Sequence, residues 1–250
     1  MIIAVVGKGG VGKTTIAALL LRRLLDTRET PVLLIDADPS SCLGSALAMR
    51  VKKTLAQIRD GMRDSTGRPK TMSQAEWLAL QAEDAIAENN GFDLLTMGHP
   101  EGKGCYCFVN NLIRDHLARL ARSYRHVLLD CEAGLEHLSR RTTGRADILV
   151  CVATRSRMSA EAIHRALSIY RELNCGLPRR VDLIMNGLQP DDPRLHEIAA
   201  MASNGHGAFS HVLTVPHDED IVAIESAGRS LLELNHTSTA ASALRSWEIA

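Results

Sequence analysis

Gly7-Lys8-Gly9-Gly10-Val11-Gly12-Lys13-Thr14 is the stretch on which the fold turns. It satisfies the pattern G-x-x-x-x-G-K-[ST], and its setting is the one that pattern requires. An apolar run over residues 2–6 leads into it as a strand, and Thr15-Ile16-Ala17-Ala18-Leu19-Leu20 leads out of it as a helix. Glycines let successive backbone N–H groups converge on phosphate oxygens, and the helix N-terminus adds partial positive charge. Gly9, Gly10, Val11, Gly12, Lys13, Thr14 and Thr15 are therefore expected to hold a nucleotide. Lys13 should reach the β- and γ-phosphates, and the Thr14 hydroxyl should ligate Mg²⁺.

Outward from that loop, short apolar runs alternate with longer helical patterns. Candidate strands occupy residues 2–6, 32–35, 92–96, 126–130, 148–153, 181–185 and 210–215. Most are unbroken Val/Ile/Leu runs rather than strict alternations, as parallel strands buried on both faces require. Candidate helices occupy residues 14–26, 74–88, 111–123, 159–174, 193–202, 218–227 and 240–247. This alternation predicts an α/β fold: a doubly wound, mostly parallel sheet of about seven strands with helices on both faces. Ligands in such a sheet sit beyond the carboxyl ends of its strands.

The 250 residues read as a single domain, with residues 48–90 as a helical insertion whose two halves carry opposite charge. Residues 52–70 carry Lys52, Lys53, Arg59, Arg63, Arg68 and Lys70 against Asp60 and Asp64, while residues 76–93, running just past the insertion, carry Glu76, Glu83, Asp84, Glu88 and Asp93 and no base. Solvation of both halves accounts for them. Over the whole chain 29 Lys and Arg balance 29 Asp and Glu, and aromatics are only 3%. That balance argues against a general nucleic-acid binder, which needs clustered positive charge and stacking platforms. No run approaches a membrane span, and no basic leader with a cleavage site precedes the first strand. A cytoplasmic protein with reduced thiols is the expectation, despite six cysteines.

Two strands end in acids. Residues 32–35 run into Asp36-Ala37-Asp38-Pro39, and residues 126–129 into Asp130, which should hold Mg²⁺, often through water. Cys131-Glu132-Ala133-Gly134 follows, where the Gly134 N–H could meet a γ-phosphate that hydrolysis then removes. Cys105-Tyr106-Cys107 lies in a Gly-rich loop. In an extended segment its two thiols point the same way. One chain supplies half a site; two chains about a two-fold axis would supply four thiolates, suited to Zn²⁺, Ni²⁺ or an iron–sulfur cluster. Two plain free thiols are the alternative. Cys131 and Cys151 read as core residues and Cys175 as structural, while Cys42, His99, His206 and His211 carry no assignment.

The string G-K-G-G-V-G-K-T resembles the deviant phosphate loop of the MinD, ParA and nitrogenase iron-protein group of dimeric P-loop ATPases. That resemblance implies that Lys8 reaches across a two-fold interface to the partner's nucleotide, as an arginine finger does. It also implies that Asp38 positions the attacking water and Asp36 supports Mg²⁺. Asn186 would read the adenine edge, and Val215-Pro216-His217-Asp218 would pack around the base, with Pro216 and Asp218 as contacts. Together with D-x-D-P-x-S-C-L-G at residues 36–44, C-Y-C at 105–107 and E-A-G-L-E-H-L-S-R at 132–140, the chain is similar to the CooC-type ATPases. Those handle nickel for carbon monoxide dehydrogenase maturation. The resemblance implies a homodimer using ATP, ADP and Mg²⁺, with Ni²⁺ or Zn²⁺ at Cys105 and Cys107. Its client would be a nickel enzyme such as carbon monoxide dehydrogenase, with neither nucleic acid nor membrane as partner. Two rivals remain. A positioning ATPase of the MinD/ParA kind would bind membrane or DNA. The membrane form would want a basic amphipathic tail, and the only charged residues in 239–250 are Arg245 and Glu248, while the DNA form would show strong salt dependence. An electron-transfer relative of the nitrogenase iron protein would want a cysteine within residues 132–145, where there is none.

Overall fold

A computed structural model of the chain describes residues 1–61, 68–99, 115–131, 146–174 and 177–249. Its strands are β1 (Ile2–Gly7), β2 (Val32–Ala37), β3 (Ala87–Asn89), β4 (Phe92–Thr96), β5 (His126–Cys131), β6 (Ile148–Ala153), β7 (Arg180–Asn186) and β8 (His211–Val215). They form one sheet in the order β3-β4-β2-β5-β1-β6-β7-β8, parallel except for β3. The doubly wound, mostly parallel architecture is therefore as the sequence predicts.

Every position of β2, β5 and β6 is buried, which is why these segments read as continuous apolar runs. Alternate residues of β1 feed two cores. Ile3 and Val5 face α1 (Lys13–Asp26) and the C-terminal segment, alongside Ile16, Leu20 and Trp247. Ala4 and Val6 face the opposite layer, which contains Ile163, Ile198, Leu55 and Leu78. That layer draws on α3 (Leu55–Gly61), α4 (Gln74–Asp84), α6 (Arg157–Asn174) and α7 (Leu195–Ser203). Between them in sequence lie the short α2 (Leu43–Ala46) and α5, helical at residues 115–120. After β8 come α8 (Glu219–Ser226) and α9 (Thr239–Ala243).

The sheet has eight strands rather than seven, and the helix expected over residues 74–88 stops at Asp84. Ala87–Asn89 instead forms an antiparallel edge strand against β4, with Asn89 opposite Phe92. The two-residue loop Asn90-Gly91 closes the hairpin, with Gly91 at φ 83. An Asn-Gly pair before an apolar run is the strongest short-range hairpin signal, and it overrides the helical spacing of the apolar residues upstream. The helix expected over residues 240–247 likewise splits into α9 and the 3-10 turn Leu244–Ser246. Residues 48–90 do supply helices, and these contribute Leu55, Ile58, Leu78 and Ala82 to the core.

The C-terminal segment is tied down by a buried polar cluster. The Trp247 indole N–H donates to Asp182 Oδ2 at 3.0 Å, and Arg180 lies 5.5 Å above the same ring. Asp182 also pairs with Arg180 at 2.8 Å and meets His211 at 3.1 Å. No helix among the described residues is long and apolar enough to cross a membrane.

Candidate nucleotide-phosphate site

β1 lies between β5 and β6, at the point where the chain's crossovers change side. The crevice beyond its carboxyl end is where an open α/β sheet takes ligands. Gly7 ends the strand against β6 so closely that a Cβ would collide with the Val152 carbonyl. Gly12 sits at φ 88, and a Cβ there would strike the Asn186 amide. Asn186, at the end of β7, donates its Nδ2 to the Val11 carbonyl at 2.9 Å and so braces the loop.

Where α4, α8 and α9 begin with a capping side chain, α1 begins with none and has no acid in its first turn. Its N-terminal N–H groups and positive dipole end are left for an anion. Built Cβ atoms on Gly9 and Gly10 would face open space, so the loop surrounds room rather than side chains.

Behind the loop the charged residues converge. Lys13 is 5% exposed, its ammonium 3.5 Å from the Lys8 carbonyl and 3.8 Å from Asp38 Oδ2. The Thr14 hydroxyl donates to Asp130 Oδ2 at 2.6 Å. Among the described residues, Asp130 Oδ1 is buried with no partner. Asp36 stands directly across from Asp130 in the β2–β5 register. Asp36 accepts the Leu43 N–H at 3.0 Å and the Asp38 N–H at 3.3 Å. Burial pushes Asp36 up to about 7, against the pull of the Leu43 amide and reinforced by the Asp130 charge. Burial likewise raises Asp130 to about 6, with the Thr14 hydroxyl and the Lys13 ammonium pulling it down. Two adjoining carboxyls held above their ordinary range, one with an orphaned oxygen beside a threonine hydroxyl, suit a hard divalent cation. The residues present therefore fit Mg²⁺ with a polyphosphate.

Lys8 is half-buried at the mouth of the loop, with the Met158 sulfur at 4.0 Å as the polar contact of its ammonium. Thr15 Oγ1 lies 3.5 Å from Glu225 on α8. Neither Met158 nor Glu225 has a local sequence signature, because each is brought in by a remote element. Asp218 has a structural task. It caps α8 through the Asp220 N–H at 3.0 Å and accepts from Ser238, Thr239 and Ala240 at 2.6, 2.9 and 2.9 Å. An acid before Glu219-Asp220-Ile221 is also a helix-start signal in the sequence. Pro216 precedes it, half-buried after β8.

Among the thiols, Cys131 and Cys151 are buried core residues, as their strands imply, and burial pushes both well up. Cys42 is exposed, raised by burial of its sulfur and by Asp36, Asp38 and Asp130. His99 is exposed; His206 packs on His164 with ring centroids 4.9 Å apart. Cys105, Cys107, Gly134 and Cys175 lie outside the described residues. Among the described residues no group of three His, Cys, Asp or Glu is arranged as a metal site.

A phosphate loop at the switch point of such a sheet, with its lysine, threonine and strand-end acids assembled, defines a P-loop ATPase. Residues 2–231 match the CobQ/CobB/MinD/ParA nucleotide-binding domain, and the chain belongs to that family. It is 38% identical to an uncharacterized ATP-binding protein of Methanocaldococcus jannaschii over 194 residues, 76% of each chain. It is 30% identical to the carbon monoxide dehydrogenase accessory protein CooC of Rhodospirillum rubrum over 94% of this chain and 90% of that one. The septum site-determining protein MinD of Pyrococcus horikoshii, solved with Mg-ADP, superimposes with a TM-score of 0.68 at 18% identity. That match covers 98% of this chain and 92% of MinD.

Proposed function

We propose that this ATPase is a metallochaperone. It holds a transition metal, nickel first among the candidates, between two subunits and delivers it for the maturation of carbon monoxide dehydrogenase or a related nickel enzyme. The observation that carries this reading is the similarity to CooC over nearly the full length of both chains, joined to the Cys105-Tyr106-Cys107 pair. Gly9 to Thr15 cradle the phosphates, and Lys13 neutralises charge on the β- and γ-groups. Thr14, Asp130 and Asp36 are the residues that would hold Mg²⁺, which supplies charge neutralisation at the phosphates when bound. Asp38, 3.8 Å from Lys13, orients the attacking water. Lys8 extends to the nucleotide of the partner copy, and the Gly134 N–H meets the γ-phosphate. Asn186 and the segment at Pro216 line the base. ATP through Lys8 and metal through the cysteines favour the same closed dimer, so each raises the affinity of the other by an equal factor. Hydrolysis opens the dimer and hands the metal on.

Light scattering with elemental analysis of anaerobic protein tests this. With Mg·ATP and Ni²⁺ or Zn²⁺ the chain should form a dimer carrying one metal, and Cys105→Ser or Cys107→Ser should abolish the metal. Metal retained at one per monomer in those variants would contradict it. The second reading is a positioning ATPase, favoured by the match to MinD in fold. It predicts ATP-dependent binding to vesicles or DNA with no metal, a result that would displace the first.

A further inference from the structure

On the outer face of α1, three guanidinium groups line a cavity of about 170 Å³ that the nucleotide chemistry does not use. Arg22, Arg23, Arg245 and His236 form its polar wall, and Leu244 and Leu19 are apolar parts of the lining. At about 1.5 Å of rise per residue, Arg22 lies roughly 14 Å along the helix from Lys13, so this is a separate place.

Arg22 is 6% exposed and fully engaged. It donates through Nη1 to the Leu234 carbonyl and through Nη2 to His236 Nδ1, the latter at 3.0 Å. A guanidinium cannot accept, so His236 Nδ1 is the acceptor and its hydrogen is on Nε2. Arg23 commits only its Nε, to the Trp247 carbonyl at 3.1 Å. Arg245 commits only Nη2, to the His236 carbonyl and the Ser242 hydroxyl. The terminal nitrogens of Arg23 and the Nε and Nη1 of Arg245 have no partner among the described residues. Within this cavity the three cations face one carboxylate, Asp26, 3.8 Å from Arg22 Nε; Glu29 and Glu248 line a neighbouring recess that Arg23 also borders. Arg180 and Arg125, elsewhere in the molecule, are each matched closely by an acid at 2.8 and 2.7 Å. Here cations outnumber acids around a recess, and forked donors from α1 and from the facing 3-10 turn at Arg245 suit tetrahedral or planar oxyanions.

We propose that this cavity is a binding site for a small tetrahedral oxyanion, inorganic phosphate or the phosphate group of a small phosphomonoester. A cavity of about 170 Å³ has room for that group and a short ester substituent. Calorimetry on the full chain tests it, with the phosphate loop first saturated by Mg²⁺ and a non-hydrolysable ATP analogue. Inorganic phosphate should then bind at one further saturable site, more weakly at high salt. The double variant Arg23→Gln, Arg245→Gln should lose about tenfold or more in affinity, the worth of one charge-assisted contact. Its binding of the ATP analogue should stay near wild type, which shows that the fold is kept, and Arg179→Gln should bind phosphate normally. Glycerol 3-phosphate in the second arm separates the sources: binding equal to phosphate points to a phosphomonoester, binding of phosphate alone to the free ion. The absence of saturable heat in the wild-type chain, or undiminished affinity in the double variant, would overturn the proposal.

Discussion

Burial pushes the Asp36 carboxyl up to about 7 and the Asp130 carboxyl up to about 6, so both favour the protonated form more than ordinary aspartates do. A bound cation favours the ionised forms, so loading with Mg·nucleotide must expel what protons remain. Calorimetry in buffers of different ionisation enthalpy should find about one proton released at pH 6 and almost none at pH 8. Affinity should rise across that interval, and Asp36→Asn should remove most of the release. Lys8 is the other residue-scale test. Its ammonium meets only the Met158 sulfur among the described residues, so Lys8→Ala breaks no ion pair there. Nucleotide affinity should stay within a few-fold while hydrolysis and ATP-dependent dimerisation disappear; a monomeric variant with wild-type turnover would refute the interface role. The loop, Lys13, Thr14 and the strand-end acids were legible in sequence because contiguous residues make them. The Asn186–Val11 bond and the Leu43–Asp36 bond were not, since each joins segments that only the fold brings together.

At the scale of elements, helix starts divide into two kinds. α4, α8 and α9 are capped by Ser73, Asp218 and Ser238, whereas α1 is open. Burial alone would raise Asp218, but hydrogen bonds from Ala240, Ser238, Thr239 and Asp220 hold it down at about 2. Because the folded value lies below the ordinary 3.8, the contribution is complete above about pH 4 and is lost as pH falls toward 2. That difference is worth about 2 kcal/mol. Asp218→Asn should lower neutral-pH stability by that order and flatten the acid limb of a urea-melt series between pH 4 and pH 2 relative to wild type. A variant as stable and as acid-sensitive as wild type would show that the bonds contribute nothing. Strands were the most legible elements, because burial on both faces forces an apolar run. The edge hairpin was missed because helical spacing through Leu78 and Ala82 continues smoothly toward Asn90-Gly91, where turn chemistry rather than periodicity decides.

For the whole molecule, one residue near the end of the chain couples the two ends of the sequence. Trp247 is 1% exposed, bonds to Asp182 through its indole, and accepts Arg23 of α1 at its carbonyl. Trp247→Ala removes a large buried side chain and leaves Asp182 short of a donor, and should cost roughly 3–5 kcal/mol, read as a lower urea midpoint. An unchanged midpoint would mean the segment is a passive appendage. None of this was readable from a lone tryptophan in a polar stretch, because its partners lie 65 and 224 residues away. The Asn186 brace reaches across the molecule in the same way, fastening the glycine cradle to a strand on the far side of β6. A socket fastened from behind keeps its form between occupants. Little of the affinity for an incoming phosphate then has to be spent on ordering the glycines that receive it.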